Sequence, residues 1–467
     1  MNIDIDLLYT PAHELAERIA AGQLSAFHLV STAIARAREM QSRINCIAIP
    51  TFNEALDAAR KADAAVERGD RVGPLHGIPI TIKDGVATSG HSLTFGSASC
   101  VENVAQTDDP VWRRLKDAGA ILIAKTTTPE FFHKVVTDSP LYDITRNPWS
   151  LAHSPGGSSG GAAAALAAGI GPIAVGSDGG GSLRCPASCT GVLGLKPTMG
   201  RVPHAGFPDT FGNYATIGPM ARDVRDLSLM LSIMSGEHAN DAASIGIPPF
   251  SIGSVHPRGI RRVRVGWIAD PGGYGVEPEV ARIVGAALDH LSEQDIDWAP
   301  IDGSFFDGSF ETYRVVSAVG HSGRARSQSE TMRALWTDSF RAIVERGLAY
   351  RAVDIETANA DRTKLFRSVQ AAFETVDVIA TPTLTSRPKS VTADGSVDSR
   401  EYAAWAAALY LFNLTGHPGI SVPCGLSADG LPIGIQFVAP WYHENVLLSL
   451  AGALEAIQPW TKRRPDL

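Results

Sequence analysis

The chain has 467 residues, 44% of them hydrophobic and 19% charged, with a net charge of -8. That balance excludes a disordered chain, gives no basic patch for nucleic acid, and is enough for a core without staples. The five cysteines (Cys46, Cys100, Cys185, Cys189 and Cys424) are odd in number in a long chain. A disulfide framework is therefore not expected, and reduced thiols in a cytoplasmic setting are. No apolar run reaches the ~18 residues of a membrane span.

Residues 11–69 read as helices, with Ser25 capping a segment that lines up Leu29, Ala33 and Ala37. Gly73-Pro74 turns the chain. Ile78, Ile80 and Ile82 then alternate as a strand that ends on Lys83. Asp108-Asp109-Pro110 opens a helix, and Ala120 to Ala124 is a buried strand. Phe131, Phe132 and His133 follow it, and Phe132 and His133 are candidates for a pocket beyond the strand end.

From His153 to Pro197 two serine-bearing glycine clusters flank an alanine-rich helix, Ala162 to Ala168. The first is Gly156-Gly157-Ser158-Ser159-Gly160-Gly161. The second is Ser177-Asp178-Gly179-Gly180-Gly181-Ser182, which follows a short strand, Pro172 to Gly176. Dense glycine suits a loop whose N–H groups converge on an oxyanion. Phe207, Phe211 and Tyr214, further along, are weaker pocket candidates. Arg222 to Met234 reads as a helix, Arg261 to Trp267 as a strand, and Val280 to Phe373 as largely helical. Val376 to Thr381, Ile420 to Val422 and Ile433 to Val438 read as strands, and Glu444 to Ile457 as a closing helix. Alternating helices and apolar strands give an α/β class.

A serine hydroxyl is a weak nucleophile and needs a base. No histidine sits in a serine-hydrolase motif here, although His76, His91 or His204 could approach in space. Lys83 is the alternative base: at a strand end in apolar surroundings, desolvation would favour its neutral amine. The Walker pattern and the dinucleotide fingerprint are missing. Cys185 and Cys189 lack the second pair of a zinc site, so no metal or cofactor is expected.

At these residues the chain resembles the amidase signature family of serine hydrolases. The likeness rests on GGSSGG (156–161), DGGGSLR (178–184) and GLKPT (194–198), on the 24-residue separation of Ser158 from Ser182, and on Gly77 to Asp84 around Lys83. It implies the amidase signature fold, a large twisted mixed β-sheet with helices on both faces. It also implies one domain over 1–467, with a helical region at about 1–70, a signature core at about 74–225 and a C-terminal part with insertions at 226–467. The implied triad is Ser182 as nucleophile, Ser158 as relay after a cis peptide from Gly157, and Lys83 as base. The oxyanion hole would be the N–H groups of Gly179, Gly180, Gly181 and Ser182, supported by Gly157, Ser159, Ser177, Asp178 and Arg184. The implied reaction is hydrolysis of a small carboxylic amide through an acyl-serine, with anilides, esters and carbamates (urethanes) open to the same chemistry. The resemblance leaves a homodimer open as the assembly. Two other functions stand beside this one. The first is the glutaminase component of a tRNA-dependent amidotransferase, disfavoured because Ala406 falls where those proteins carry an aspartate. The second is a silent binding protein on the same fold.

Overall fold

The computed structural model describes residues 3–206, 209–255, 263–294 and 296–467, leaving aside the side chains of 324 and 325. The strands are β1 (Ile47–Pro50), β2 (Pro79–Lys83), β3 (Ile121–Thr126), β4 (Asp138–Ser139), β5 (Asp143–Ile144), β6 (Ile173–Asp178), β7 (Leu193–Lys196), β8 (Thr216–Ala221), β9 (Arg264–Trp267), β10 (Asp297–Pro300), β11 (Val378–Pro382), β12 (Gly419–Leu426) and β13 (Pro432–Val438). β4 and β5 form a small ribbon. The other eleven make one mixed sheet in the order β1-β3-β2-β6-β8-β7-β12-β13-β11-β9-β10. Every residue of β2, β3, β8, β11 and β13 is buried, so the sheet is covered on both faces there.

The helix starts follow their caps. Ser25 accepts the His28 N–H at 3.2 Å, and Asp109 accepts the Val111 N–H at 2.9 Å with Pro110 in the first turn. The structure adds strands that the periodicity does not announce. β1 lies inside the stretch read as helical, and β8 carries Gly218 and Pro219 yet pairs with both β6 and β7. β10 interrupts the helical stretch after Val280. Arg261 and Arg262, at the start of the strand read there, lie outside the described residues.

The helix Gly160–Ala167 is buried on every side, which explains its uniform small apolar sequence. It packs against the helix Arg184–Thr190, and with it holds both serine clusters over the sheet.

Candidate active site

β2 runs parallel to β6, with Ile82 opposite Val175. Their C-terminal ends therefore reach the same edge, and Lys83 comes level with the end of β6, where Ser177 and Asp178 sit. Carboxyl ends of parallel strands are where open α/β sheets bind ligands. The helix Gly160–Ala167 brings Ser158 and Ser159 to the same place through its N-terminus.

Lys83 is fully buried. Its Nζ donates to the hydroxyls of Ser158 at 2.7 Å, Ser177 at 3.0 Å and Ser159 at 3.1 Å. Burial lowers the amine from its ordinary 10.5 to about 7, against the Asp178 carboxylate, which favours the ammonium. The ring of Phe132 lies 4.5 Å from Nζ. The Ser159 hydroxyl donates to the Ser177 carbonyl at 3.1 Å, so its proton is already committed. Ser158, the nearest of the three, is then best placed to give a proton to a neutral amine. The Gly157-Ser158 peptide is cis. A side chain at Gly157 would press on the backbone of Val135 and Val136 at 2.9–3.0 Å, so only glycine fits.

Ser182 is 7% exposed, more open than the fully buried Lys83 and Ser158. Its carbonyl accepts the Ser159 N–H at 3.2 Å, which ties the two clusters together. Among the described residues no hydrogen bond joins the Ser158 and Ser182 hydroxyls.

Asp178 anchors the loop between them. Its Oδ1 accepts from the Gly181 N–H at 2.7 Å, Asn413 Nδ2 at 2.9 Å and Arg184 Nη2 at 3.0 Å. Its Oδ2 accepts from Arg184 Nε at 3.0 Å and the Leu183 N–H at 3.1 Å. Burial alone would raise this carboxyl, but Arg184 and the hydrogen bonds outweigh it and hold the group far below the usual range. Arg184 is fully buried and its remaining donors reach Asn413 Oδ1, Gln436 Oε1 and the Leu409 carbonyl.

Two expectations need correction. The Gly181 N–H is held by Asp178, so it is not free for an oxyanion, whereas among the described residues no hydrogen bond is seen for the loop N–H groups of Gly179, Gly180 and Ser182. Gly181 instead supplies a left-handed turn (φ 114°) where a side chain would strike Leu409. His133 is buried rather than open to a pocket mouth. It is 1% exposed, its Nε2 meets Ser339 Oγ at 2.8 Å, and burial lowers it to about 3. The left-handed backbone at Phe131 and Phe132 (φ 46° and 66°) separates the neighbours. Phe132 goes toward Lys83, while His133 packs against Phe340.

The weaker candidates also disperse. Phe211 is 92% exposed, Tyr214 packs edge-on to Tyr313, and Phe207 lies outside the described residues. His76 faces the Ala62 carbonyl, His91 pairs with Glu54, and His204 Nδ1 faces the Ala215 carbonyl. The sequence reading assigns no contact to Asn413 or Gln436, because no spacing marks them as partners of an arginine more than 200 residues earlier.

A family model of the amidases matches residues 28–448. The chain is 33% identical to an acylamidase of Rhodococcus erythropolis over 473 residues, covering 98% of each protein. It is also 33% identical over 493 residues to a glutamyl-tRNA(Gln) amidotransferase subunit of Moorella thermoacetica, covering 99% of each. Among solved structures, a bacterial aryl acylamidase of the amidase signature enzymes superposes with a TM-score of 0.90 at 26% identity, covering 97% of each chain. The chain therefore belongs to the amidase signature family and is a hydrolase of amide C–N bonds.

Proposed function

We propose that this protein is a free-standing amidase in which Ser182 is the nucleophile, Ser158 the proton relay and Lys83 the base. The observation that carries this reading is the fully buried Lys83, its amine lowered to about 7 and 2.7 Å from Ser158 Oγ. Neutral Lys83 takes the Ser158 proton while Ser158 takes that of Ser182, and Ser182 Oγ bonds to the amide carbon. The carbonyl electron pair moves to oxygen, which the N–H groups of Gly179, Gly180 and Ser182 would face. When the intermediate collapses, the C–N bond breaks and the Lys83 proton returns through Ser158 to the leaving amine. Water then attacks the acyl-Ser182 by the same route, releasing the carboxylate and restoring the serine.

The substrate class we favour is a small acyl amide or anilide, with esters and carbamates as variants, since the acylamidase relatives act on substrates of that kind by name. The likeness to the amidotransferase protein of Moorella thermoacetica favours a second reading, a glutaminase that passes ammonia to a partner. Against it, Ala406 is apolar and fully buried, and supplies no carboxylate for a glutamine ammonium. Comparing hydrolysis of an acyl anilide, a carbamate and free glutamine separates the two: glutamine turnover above that of the anilide would reverse the preference. All five cysteines are free and buried, which supports a reducing, cytoplasmic setting. Among the described residues no helix is long and apolar enough to cross a membrane.

The base sets the pH response. Only the neutral amine accepts a proton, so kcat/KM should rise with pH through an inflection near 7 and level off above it. Below the inflection it should fall about tenfold per pH unit. A flat profile between pH 5.5 and 8.5 would remove Lys83 from that role.

A further inference from the structure

The oxyanion loop carries three consecutive glycines, Gly179 to Gly181, so no side chain restrains the rotation of its peptide planes. The plane between Gly180 and Gly181 is nevertheless held at both ends. Its N–H donates to Asp178 Oδ1 at 2.7 Å, and its carbonyl accepts the hydroxyl of Tyr402 at 2.7 Å. Tyr402 lies in the helix Arg400–Trp405, 222 residues along the chain, and is 1% exposed. Its ring is fixed among Tyr313, Tyr410 and Phe310, with centroids 6.0, 5.8 and 6.2 Å away.

From this geometry we infer that Tyr402 is a positioning residue of the amidase reaction. By holding the Gly180 carbonyl, it keeps the N–H groups on either side of that plane turned toward the reacting oxygen. The inference rests on the assignment of Ser182 and its loop made above. Without the hydroxyl, the plane is restrained at one end only. A rotation would then move the flanking donors, and misplacement of about 1 Å at such a site can cost 10²-fold. Burial holds the Tyr402 phenol well above its ordinary value, so it remains a donor at every working pH. The Tyr402 hydroxyl also hydrogen-bonds the Tyr313 side chain, and its tie to the loop is the Gly180 carbonyl.

The test compares Tyr402→Phe with Tyr410→Phe and Ser182→Ala in the full-length protein. Tyr402→Phe keeps the ring and deletes one hydroxyl. Tyr410→Phe deletes a hydroxyl from the same cluster, one that donates to the Ala403 carbonyl at 3.2 Å, and serves as the control for lost stability. The readouts are p-nitroacetanilide hydrolysis, the rate of labelling by a fluorophosphonate, and Tm. Tyr402→Phe should lower kcat and the labelling rate about ten- to hundredfold. KM should stay within about twofold and the pH inflection should remain near 7, because Lys83 is untouched. Tyr410→Phe should show a similar Tm loss with near wild-type kcat. A wild-type kcat in Tyr402→Phe, or equal kcat losses in the two tyrosine variants tracking Tm, would overturn the inference. Ser182→Ala separates the nucleophile assignment from the positioning role. If it retains turnover, the nucleophile assignment fails; if it is inactive while Tyr402→Phe is normal, only the positioning role fails.

Discussion

Replacing Ser182 by alanine should abolish amide turnover, a loss of about 10⁴–10⁶ in kcat, while the protein stays folded. The change removes one hydroxyl, for which no hydrogen bond is seen among the described residues. The backbone carbonyl that ties Ser182 to the Ser159 N–H is unaffected. The N–H of residue 182 also stays in the loop, so substrate binding should survive. Unfolding should shift by no more than about 0.5 kcal/mol, the usual scale for a change that breaks no buried contact. Steady-state hydrolysis and thermal unfolding check both halves. Turnover within tenfold of wild type would mean that the reaction does not pass through this serine.

Lys83→Arg is the second large effect, expected to cost at least about 10³ in kcat. It separates a base from a fixed cation. A guanidinium stays protonated at any working pH, so it can donate to serine hydroxyls but cannot take their protons. Lys83→Met should be at least as inactive, because it removes the amine and keeps an apolar stem of similar length. If the lysine served only to hold Ser158, Ser159 and Ser177 by donation, Arg would restore much of the activity that Met loses. Equal loss in both variants, with labelling of Ser182 slowed alongside turnover, is the result expected of a base. The arginine is larger than the space around a fully buried lysine, so Tm should be followed for both.

Much of this site is legible in the sequence because it is built from local devices. A strand of alternating isoleucines ends on Lys83, and the structure places that lysine among Ser158, Ser159 and Ser177. Ser25 and Asp109 read as caps and are caps. What the sequence hides depends on pairs far apart. Tyr402, Asn413 and Gln436 reach the loop from the C-terminal part of the chain, and no periodicity or spacing marks their partners. The role of Gly181 is hidden for a similar reason. Counting N–H groups in a glycine loop does not reveal that one of them faces the carboxylate three residues back. β8 is hidden by its own composition, since it carries Gly218 and Pro219, yet these two pair with Gly176 and Val175 of β6 while Met220 and Ala221 pair with β7. His133 shows the limit of position as a guide. Following a strand end puts a residue near the site, but two left-handed phenylalanines decide which way it turns.

In the proposed mechanism a neutral Lys83 makes Ser182 reactive through Ser158. The most direct measurement is fluorophosphonate labelling across pH 5.5–8.5, with the modified residue located by peptide mass spectrometry. A single adduct on Ser182 is expected, formed at a rate that rises through an inflection near 7 and is lost in Lys83→Arg. An adduct on another residue, or Ser182 labelling that ignores both pH and Lys83→Arg, would contradict it.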